Sequence, residues 1–183
     1  MSGANAALSN GSGSTVAITA TQLVLTTAPV YTRVVDSSDE VLSGAAFQTQ
    51  PVVAARDAAL NIDSDFVDLV QASIATGSGS LAGVTSATAA AGTATFSALR
   101  YDAAADGESF TLSFDDQSSG SEGDLSAVAT STLSADVVAT QWVFSRQPAG
   151  SFGGLALATQ PQVEARDALG KVDSDISLSA SLA

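Results

Sequence analysis

The 183-residue sequence contains no cysteine and no histidine. The absence of cysteine excludes disulfides, thiolate nucleophiles and zinc–sulfur sites. The absence of histidine removes the usual general base at neutral pH, and with it Ser-His-Asp and Cys-His relays and imidazole ligation of metals. A carboxylate pair of the glycosidase kind stays formally open, but no acid lies beside aromatic residues in a pattern that suggests a sugar cleft. We therefore predict that the protein is not an enzyme.

Basic residues are scarce, because 6 Lys and Arg stand against 19 Asp and Glu and give a net charge of −13. The negative electrostatic field of such a charge repels nucleic-acid phosphates and anionic membrane surfaces, so we expect neither as a partner. No apolar run approaches the roughly 20 residues that cross a bilayer, so membrane insertion is not expected. The opening MSGANAALSNGSGSTVAITA lacks the basic segment and apolar run of a signal peptide.

Small and β-branched residues dominate the remaining composition and favour strands and turns over long helices. Residues 1–14 are Gly, Ser, Asn and Ala, apart from Met1 and Leu8, and predict a flexible arm. From Ser14 to Thr27 the chain is β-branched and alternating, which predicts a strand. The run ESFTLSF places Phe110, Leu112 and Phe114 on one face of another strand.

Turn signals recur roughly every 8–15 residues between Thr15 and Leu133 and separate about seven short strands. Pro51 should stand at a strand start or an edge, because proline cannot donate to a ladder. Phe96 and Leu99 should point inward, and LSAVATSTLS should form one closing strand. No segment keeps a helical apolar stripe, so we predict an all-β fold, an antiparallel β-sandwich.

One phrase occurs twice, as TQPVVAARDAALNIDSDF in residues 49–66 and as TQPQVEARDALGKVDSDI in residues 159–176. A second pair, ATQLVLT and ATQWVFS, occupies residues 20–26 and 139–145. The offset is 119 residues for the second pair and 110 for the phrase, so the first copy has nine extra residues between these points. A repeat of this length at matching strand positions predicts tandem duplication.

The repeated region resembles the bacterial immunoglobulin-like repeats that occur in tandem in large surface adhesins, filamentous surface proteins and some phage fibre or capsid-decoration proteins. The best-matching positions are Thr49-Gln50-Pro51, Asp57, Asn61, the Gly77/Gly79 turn with Leu81 and Gly83, and Ala94-Thr95-Phe96 leading to Leu99. The resemblance implies an immunoglobulin-like sandwich with a scaffold or adhesion role.

Two departures from this family pattern fall in the repeated turn. Leu60 stands where the pattern usually has glycine, which the second copy keeps as Gly170, and Lys171 replaces Asn61. These changes predict that the turn is not strictly held in left-handed geometry in both copies.

The repeat divides the chain into an arm (1–14), a complete immunoglobulin-like sandwich (15–134) and an incomplete second repeat (135–183). The second repeat supplies about three strands, and half a sandwich leaves apolar faces and strand edges exposed. Either the chain is part of a longer multi-repeat protein, or another chain completes the second repeat by adding strands.

Closely spaced oxygen ligands in the phrase suit Ca²⁺, although the spacing is not that of an EF-hand loop. The candidate ligands are Asp57, Asn61, Asp63, Asp65, Asp167, Asp173 and Asp175. The alternative is a solvated turn in which Asp57 bonds nearby backbone N–H groups. Asp115, Asp116, Glu122 and Asp124 form a second oxygen-rich loop.

Four further residues are candidates for interfaces. Arg56 and Arg166 hold equivalent positions and form either an interdomain ion pair or solvated edge arginines that discourage edge-to-edge aggregation. Trp142 and Phe144 either anchor a partner or pack in a core or interdomain contact.

Taken together, we expect a non-catalytic structural or adhesive protein of a cell-surface coat, filament or fibre, which assembles with other copies of itself or with other coat subunits. One alternative is a phage virion protein, such as a capsid-decoration protein or a tail fibre. Another is a carbohydrate-binding module with a glycan partner. Calcium is the one cofactor that these residues suggest.

Overall fold

The computed structural model of the chain describes residues 17–30, 40–116, 123–150 and 152–176. All regular secondary structure in these ranges is β, so the predicted all-β class is confirmed. None of the described ranges contains a helix that could cross a membrane. The predicted arm at residues 1–14 and the end of the chain from residue 177 lie outside the described ranges.

The strands are β1 (Gln22–Thr27), β2 (Val41–Leu42), β3 (Val52–Arg56), β4 (Leu69–Thr76), β5 (Ser80–Ala82), β6 (Ser86–Thr88), β7 (Thr93–Thr95), β8 (Arg100–Asp102), β9 (Glu108–Asp115), β10 (Val128–Ala129), β11 (Leu133–Asp136), β12 (Gln141–Arg146) and β13 (Gln162–Arg166).

The strands form four sheets. One has the order β1-β3-β7, and a larger one has the order β2-β11-β9-β4-β6 with β10 also paired to β9. Two further sheets contain two strands each, β5-β8 and β12-β13. The strand pairs are antiparallel except β11 with β2, which is parallel.

The core is built by alternating side chains on long strands. Phe110, Leu112 and Phe114 of β9 are fully buried, as their spacing predicts, and polar residues occupy the positions between them. Phe96 and Leu99 are also buried, which confirms their predicted direction.

Aromatic rings fill the centre of this core. Phe96 meets Phe114 edge to face at 5.2 Å between ring centroids. Tyr101 stacks on Phe110 at 3.7 Å.

The buried apolar cluster is confined to one part of the chain. All its members lie between Ala20 and Val137, and we call the described residues from 17 to 137 the main body. We call residues 138–176, with β12 and β13, the C-terminal hairpin. Among the described residues of this hairpin, Ala165 is the one buried hydrophobic side chain.

Two predicted strands differ from the observed ones, and in each case a side-chain acceptor takes a main-chain N–H at the place where the ladder stops. The predicted closing strand is two strands, β10 and β11, and between them buried Thr130 exchanges hydrogen bonds with Leu112: its N–H donates to the Leu112 carbonyl and its hydroxyl accepts the Leu112 N–H. Ser14 lies outside the described residues, and the first described strand begins at Gln22; just before it, the Ala20 N–H donates to the Asp63 carboxylate and not to a neighbouring strand. Pro51 directly precedes β3, as predicted.

The prediction for the repeated turn is wrong. Leu60 has φ +68° and Gly170 has φ +81°, so both copies adopt left-handed geometry. Hydrogen bonds hold Leu60 in this conformation: its N–H donates to the Asp57 carbonyl at 3.0 Å, and its carbonyl accepts from the Arg56 guanidinium at 3.0 Å.

We predict that Leu60→Gly stabilises the protein. The left-handed conformation costs an L-residue roughly 1–2 kcal/mol, and the Leu60 side chain is 54% exposed, so little packing is lost. Glycine costs about 0.5–1 kcal/mol in unfolded-chain entropy, which leaves a net gain of up to about 1.5 kcal/mol in the free energy of unfolding, measured with urea. Ala59→Gly, at an exposed neighbour with ordinary φ, is the control and should destabilise. If Leu60→Gly lost as much stability as Ala59→Gly, the claim that the left-handed backbone at Leu60 is strained would be contradicted.

Candidate functional site

The two copies of the repeated sequence build the same strand pair. β1 pairs with β3 and β12 with β13, both antiparallel, in the same register and with an irregularity at the same place. Gln22, Leu23, Val24 and Leu25 face Arg56, Ala55, Ala54 and Val53, while Gln141, Trp142, Val143 and Phe144 face Arg166, Ala165, Glu164 and Val163. The equivalence that the sequence predicts for these segments therefore extends to their hydrogen bonding.

The first aspartate of the phrase closes a turn in both copies. Asp57 accepts the N–H groups of Ala59 and Asn61 on one carboxylate oxygen at 2.9 and 2.8 Å. Asp167 holds the equivalent residues in the same way, with the Leu169 and Lys171 N–H groups at 2.9 and 2.8 Å. The alternative that we gave for Asp57, bonding to nearby backbone, describes this geometry.

The second aspartate of the phrase is buried and holds the approach to the first strand of its pair. Asp63 accepts the Ala20 N–H at 2.7 Å, and Asp173 accepts the Ala139 N–H at 2.8 Å. Both side chains are buried. A buried carboxylate is stabilised only when it is hydrogen-bonded, and these N–H groups supply the bonds.

Hydrogen bonds favour the ionised form of both main-body aspartates. The side chain of Asn61 and nearby N–H groups lower the pKa of Asp57 below its ordinary value. Burial acts to raise the pKa of Asp63, but hydrogen bonds from Asp65, Ala20 and Phe66 outweigh it and lower the pKa overall. The stability that each contributes is present above the ordinary aspartate pKa and is lost as the pH falls through the folded-state pKa.

The equivalent arginines brace the repeated turn. Arg56 donates to the Leu60 carbonyl, and Arg166 donates to the Gly170 carbonyl at 2.5 Å. Arg166 also pairs with Glu164 at 2.6 Å on the same strand. Both arginines thus have local partners within their own copy.

One main-body carboxylate joins the two parts of the chain. Asp106 follows β8 in the turn before β9 and accepts the Val137 N–H at 2.9 Å on one oxygen. Its other oxygen accepts the N–H and the hydroxyl of Ser174 in the C-terminal hairpin, at 2.8 and 2.7 Å. A cleft of about 390 Å³ lies at this contact and is lined from both parts, including Asp106, Lys171 and Ser174.

The hydrogen bonds of Asp106 determine its charge state. Burial acts to raise its pKa, but the bonds from Val137, Ser174 and Gly107 outweigh burial and lower it. Asp106 is therefore a carboxylate at neutral pH, so the Val137 N–H of the main body and the two groups of Ser174 that cross from the hairpin all donate to a charge.

Two groups of three carboxylates are found in the described part of the chain. Asp106, Asp173 and Asp175 form one, and Asp115, Asp116 and Asp124 form the other, each with oxygens within 4.8 Å of one another. Such hard oxygen donors suit Ca²⁺ chemically. The first group contains two of the predicted calcium ligands, and the second contains three residues of the predicted oxygen-rich loop.

The other predicted calcium ligands have different surroundings. The Asn61 amide donates to Asp57 at 3.0 Å, so these two side chains bind each other. The Asp65 N–H donates to Asp63 at 3.3 Å. Asp167 closes its own turn, and Glu122 lies outside the described residues. Calcium binding therefore stays a prediction, and Asp173 and Asp175 are the predicted ligands that meet a third carboxylate.

The predicted interface aromatics lie on the surface of the hairpin. Trp142 is 52% exposed and Phe144 is 50% exposed. The alternative that they pack in a core does not describe their surroundings among the described residues.

Sequence reasoning missed two structural carboxylates. Asp106 carries a turn signal, since glycine follows it, but its partner Ser174 is 68 residues away and shares no local pattern with it. Glu108 accepts the N–H groups of Ser78, Gly79 and Ala104 and so holds the glycine turn before β5.

Comparisons of the chain with protein-family models, with curated proteins and with solved structures find no match. The resemblance to immunoglobulin-like repeats therefore stays a prediction from the sequence.

The calcium prediction has a matched test within the repeat. If Ca²⁺ binds beside Asp173 and Asp175, about 1 mM CaCl₂ should raise the unfolding temperature, because a ligand of the folded state stabilises it. Asp175→Asn should abolish the increase, whereas Asp65→Asn, at the equivalent position of the first copy, should keep it. An equal increase with NaCl at the same ionic strength would contradict specific binding.

The ionised Asp116 side chain should destabilise the protein, whereas the ionised Asp57 side chain should stabilise it. Burial raises the pKa of Asp116, and the negative charges of Asp115 and Asp124 add to this. The cost of burying the ionised Asp116 carboxylate is thus absent below the ordinary aspartate pKa and complete above the raised folded-state pKa. We predict that Asp116→Asn raises the urea midpoint at pH 7, whereas Asp57→Asn lowers it, and that both differences shrink at acid pH. A lower urea midpoint for Asp116→Asn at pH 7 would contradict this prediction, because it would mean that the ionised Asp116 stabilises the protein.

Proposed function

We propose that the chain is a non-catalytic structural protein built from tandem immunoglobulin-like β-sandwich repeats, and that it forms part of a surface coat, filament or fibre through protein–protein assembly. Residues 15–134 form the complete repeat, and residues 135–183 begin a second one. Its place is the cell surface, and its partners are other copies of itself or other coat subunits.

The duplicated hydrogen-bond frame supports the tandem arrangement. The equivalent turns, strand pairs and buried aspartates recur with the same atoms bonded. All four prolines of the chain also fall into two equivalent pairs, Pro29 with Pro148 and Pro51 with Pro161. Repeats that share a backbone frame extend a protein by stacking similar units.

The observation that carries the proposal is the contact made by Asp106. Inter-domain motion is the default where few contacts cross a boundary. Here one ionised side chain accepts a hydrogen bond from Val137, at the end of the main body, and two from Ser174 in the C-terminal hairpin. A junction held in this way transmits force and orientation from one repeat to the next, which is what a coat or a filament requires.

The bonding of the acidic side chains supports the non-catalytic part of the proposal. A catalytic carboxylate needs a free face toward a substrate, with its pKa matched to proton transfer. Asp57, Asp63 and Asp106 instead have lowered pKa values and hold main-chain N–H groups. These carboxylates serve as structural acceptors.

Removing the Asp106 carboxylate should release the second repeat without unfolding the first. In Asp106→Ala, amide hydrogen exchange at Val137 and Ser174 should become about tenfold faster, because bonds to a charged acceptor are lost. The control Asp57→Ala should accelerate exchange at Ala59 and Asn61 but leave Ser174 protected.

Two outcomes of this exchange experiment would contradict the junction. One is unchanged exchange at Ser174 in Asp106→Ala. The other is a uniform acceleration throughout the main body, which would make Asp106 a part of the core's stability and not a link between repeats.

A further inference from the structure

One turn of the C-terminal hairpin meets the main body. It covers residues 167–174, and we call it the seam turn. Ser174 donates two hydrogen bonds to Asp106, and Lys171 lines a cleft of about 390 Å³ together with both of these residues. Leu169 lines a second cleft between the two parts of the chain, of about 480 Å³. Three side chains of the seam turn therefore lie at the contact with the main body.

The complete copy of the repeat leaves the equivalent turn open. Residues 58–61 are the counterparts of residues 168–171, and all four are exposed in the main body. The described strands β1 to β11 build the core without covering this turn. Further strands of a second repeat would thus leave the seam turn free to meet the main body.

Two side chains of the seam turn differ from their counterparts, although the carboxylate that closes the turn accepts the same two N–H groups in both copies. Leu169 replaces Ala59, and Lys171 replaces Asn61. The Asn61 amide donates to Asp57 inside its own turn at 3.0 Å, whereas Lys171 lines two clefts at the seam. The longer side chains of the second copy thus extend the turn towards the main body.

Leu169 meets a glycine of the main body. A Cβ at Gly44 would lie 3.6 Å from the Leu169 Cδ1 atom, so this methyl group lies over the glycine. The backbone there is fixed, because the Gly44 N–H donates to the Tyr101 carbonyl at 3.0 Å. Leu169 is 56% exposed, so one side of its side chain makes the contact. The seam thus gains an apolar contact that the alanine of the first copy is too short to make.

Lys171 brings a positive charge to an acidic contact. The contact gathers three carboxylates with oxygens within 4.8 Å of one another, from Asp106, Asp173 and Asp175. Carboxylates at this distance repel each other. Arg100, which lines the larger cleft, already pairs with Asp102 at 3.2 Å. Lys171 is the single lysine of the chain and lines the cleft at Asp106, where its charge offsets this repulsion.

We propose that Leu169 and Lys171 make the seam turn a docking surface for the acidic end of the main body at Asp106, and that these two side chains determine which copy of the turn docks there. Leu169 supplies the apolar contact, Lys171 supplies the opposite charge, and Ser174 supplies the hydrogen bonds. This inference rests on the proposed function, and it names the surface by which one repeat recognises the repeat before it.

The first-copy turn carries one of these three groups. Its serine is kept as Ser64, but Ala59 and Asn61 provide neither the apolar reach nor the charge. Asp63 and Asp65 flank Ser64, so this turn would bring acids against another carboxylate without a counter-charge. Discrimination between the two turns therefore combines attractive contacts with a repulsive element.

Amide hydrogen exchange in the full chain tests the docking surface. The Ser174 N–H reports on docking because it donates to Asp106. The Thr140 N–H reports on the hairpin itself, because it donates to the Arg166 carbonyl at 2.8 Å. The measurement uses a calcium chelator and about 20 mM salt, so that neither bound calcium nor screening replaces the charge of Lys171.

Loss of either side chain should loosen the contact. Leu169→Ala should accelerate exchange at Ser174 about fivefold, through the lost apolar contact. Lys171→Gln should accelerate it about threefold, through the lost charge. At about 0.5 M NaCl the effect of Lys171→Gln should disappear, because salt screens the charge, whereas that of Leu169→Ala should remain. The control carries the same two differences in the first copy, Ala59→Leu with Asn61→Lys, and should leave Ser174 unchanged.

Two results would overturn the proposal. One is unchanged exchange at Ser174 in both Leu169→Ala and Lys171→Gln. The other is an acceleration at Thr140 equal to that at Ser174 in Lys171→Gln, which would mean that the lysine stabilises the hairpin itself. If Asp106→Ala still accelerates exchange at Ser174 in either case, the junction of the proposed function stands and the docking surface alone is rejected.

Discussion

The structure depends on buried carboxylates that hold main-chain N–H groups where strands begin. Asp63 lies inside the main body and accepts the Ala20 N–H, which fixes the chain entering β1 against the turn that follows β3. An unbonded carboxylate at this depth would be strongly destabilising, so the bond and the fold require each other. Gly92 shows how tightly the site is packed, because a Cβ there would lie 2.1 Å from the Asp63 carbonyl oxygen.

The second copy of this arrangement has the same bonds in a different setting. Asp173 holds Ala139 as Asp63 holds Ala20, and the adjacent Ser174 contacts Asp106 of the main body. The acidic turn of the phrase thus makes contacts within the main body and also between the main body and the C-terminal hairpin. The β1-β3 pair packs in the main-body core, whereas β12-β13 is exposed among the described residues. Local hydrogen bonding therefore determines the pairing, and the surrounding sheets determine burial.

Local patterns predicted the features that depend on local chemistry. Alternation placed Phe110 and Phe114 in the core, and the duplicated phrase identified the equivalent turns. The prediction for Leu60 is wrong because the Arg56 guanidinium donates to the Leu60 carbonyl and the Asp57 carboxylate accepts the N–H groups on either side of Leu60, and these bonds override the preference of leucine. The contact between Asp106 and Ser174 could not be predicted, since residues 68 positions apart meet only once the whole fold is formed. The ends of some strands could not be predicted for a similar reason: main-chain N–H groups there donate to side-chain acceptors that are distant in sequence, and not to a neighbouring strand.

The central claim is that Asp63 and Asp173 make the same hydrogen bond in two copies of one strand pair and turn. The most direct measurement compares the amide proton shifts of Ala20 and Ala139 by NMR at neutral pH in the parent chain and in variants of the two aspartates. The account predicts that Asp63→Ala moves the Ala20 amide shift alone and that Asp173→Ala moves the Ala139 amide shift alone, because each aspartate accepts that N–H. If Ala139 did not respond to Asp173, the second segment would not share the frame of the first, and the tandem arrangement would be contradicted.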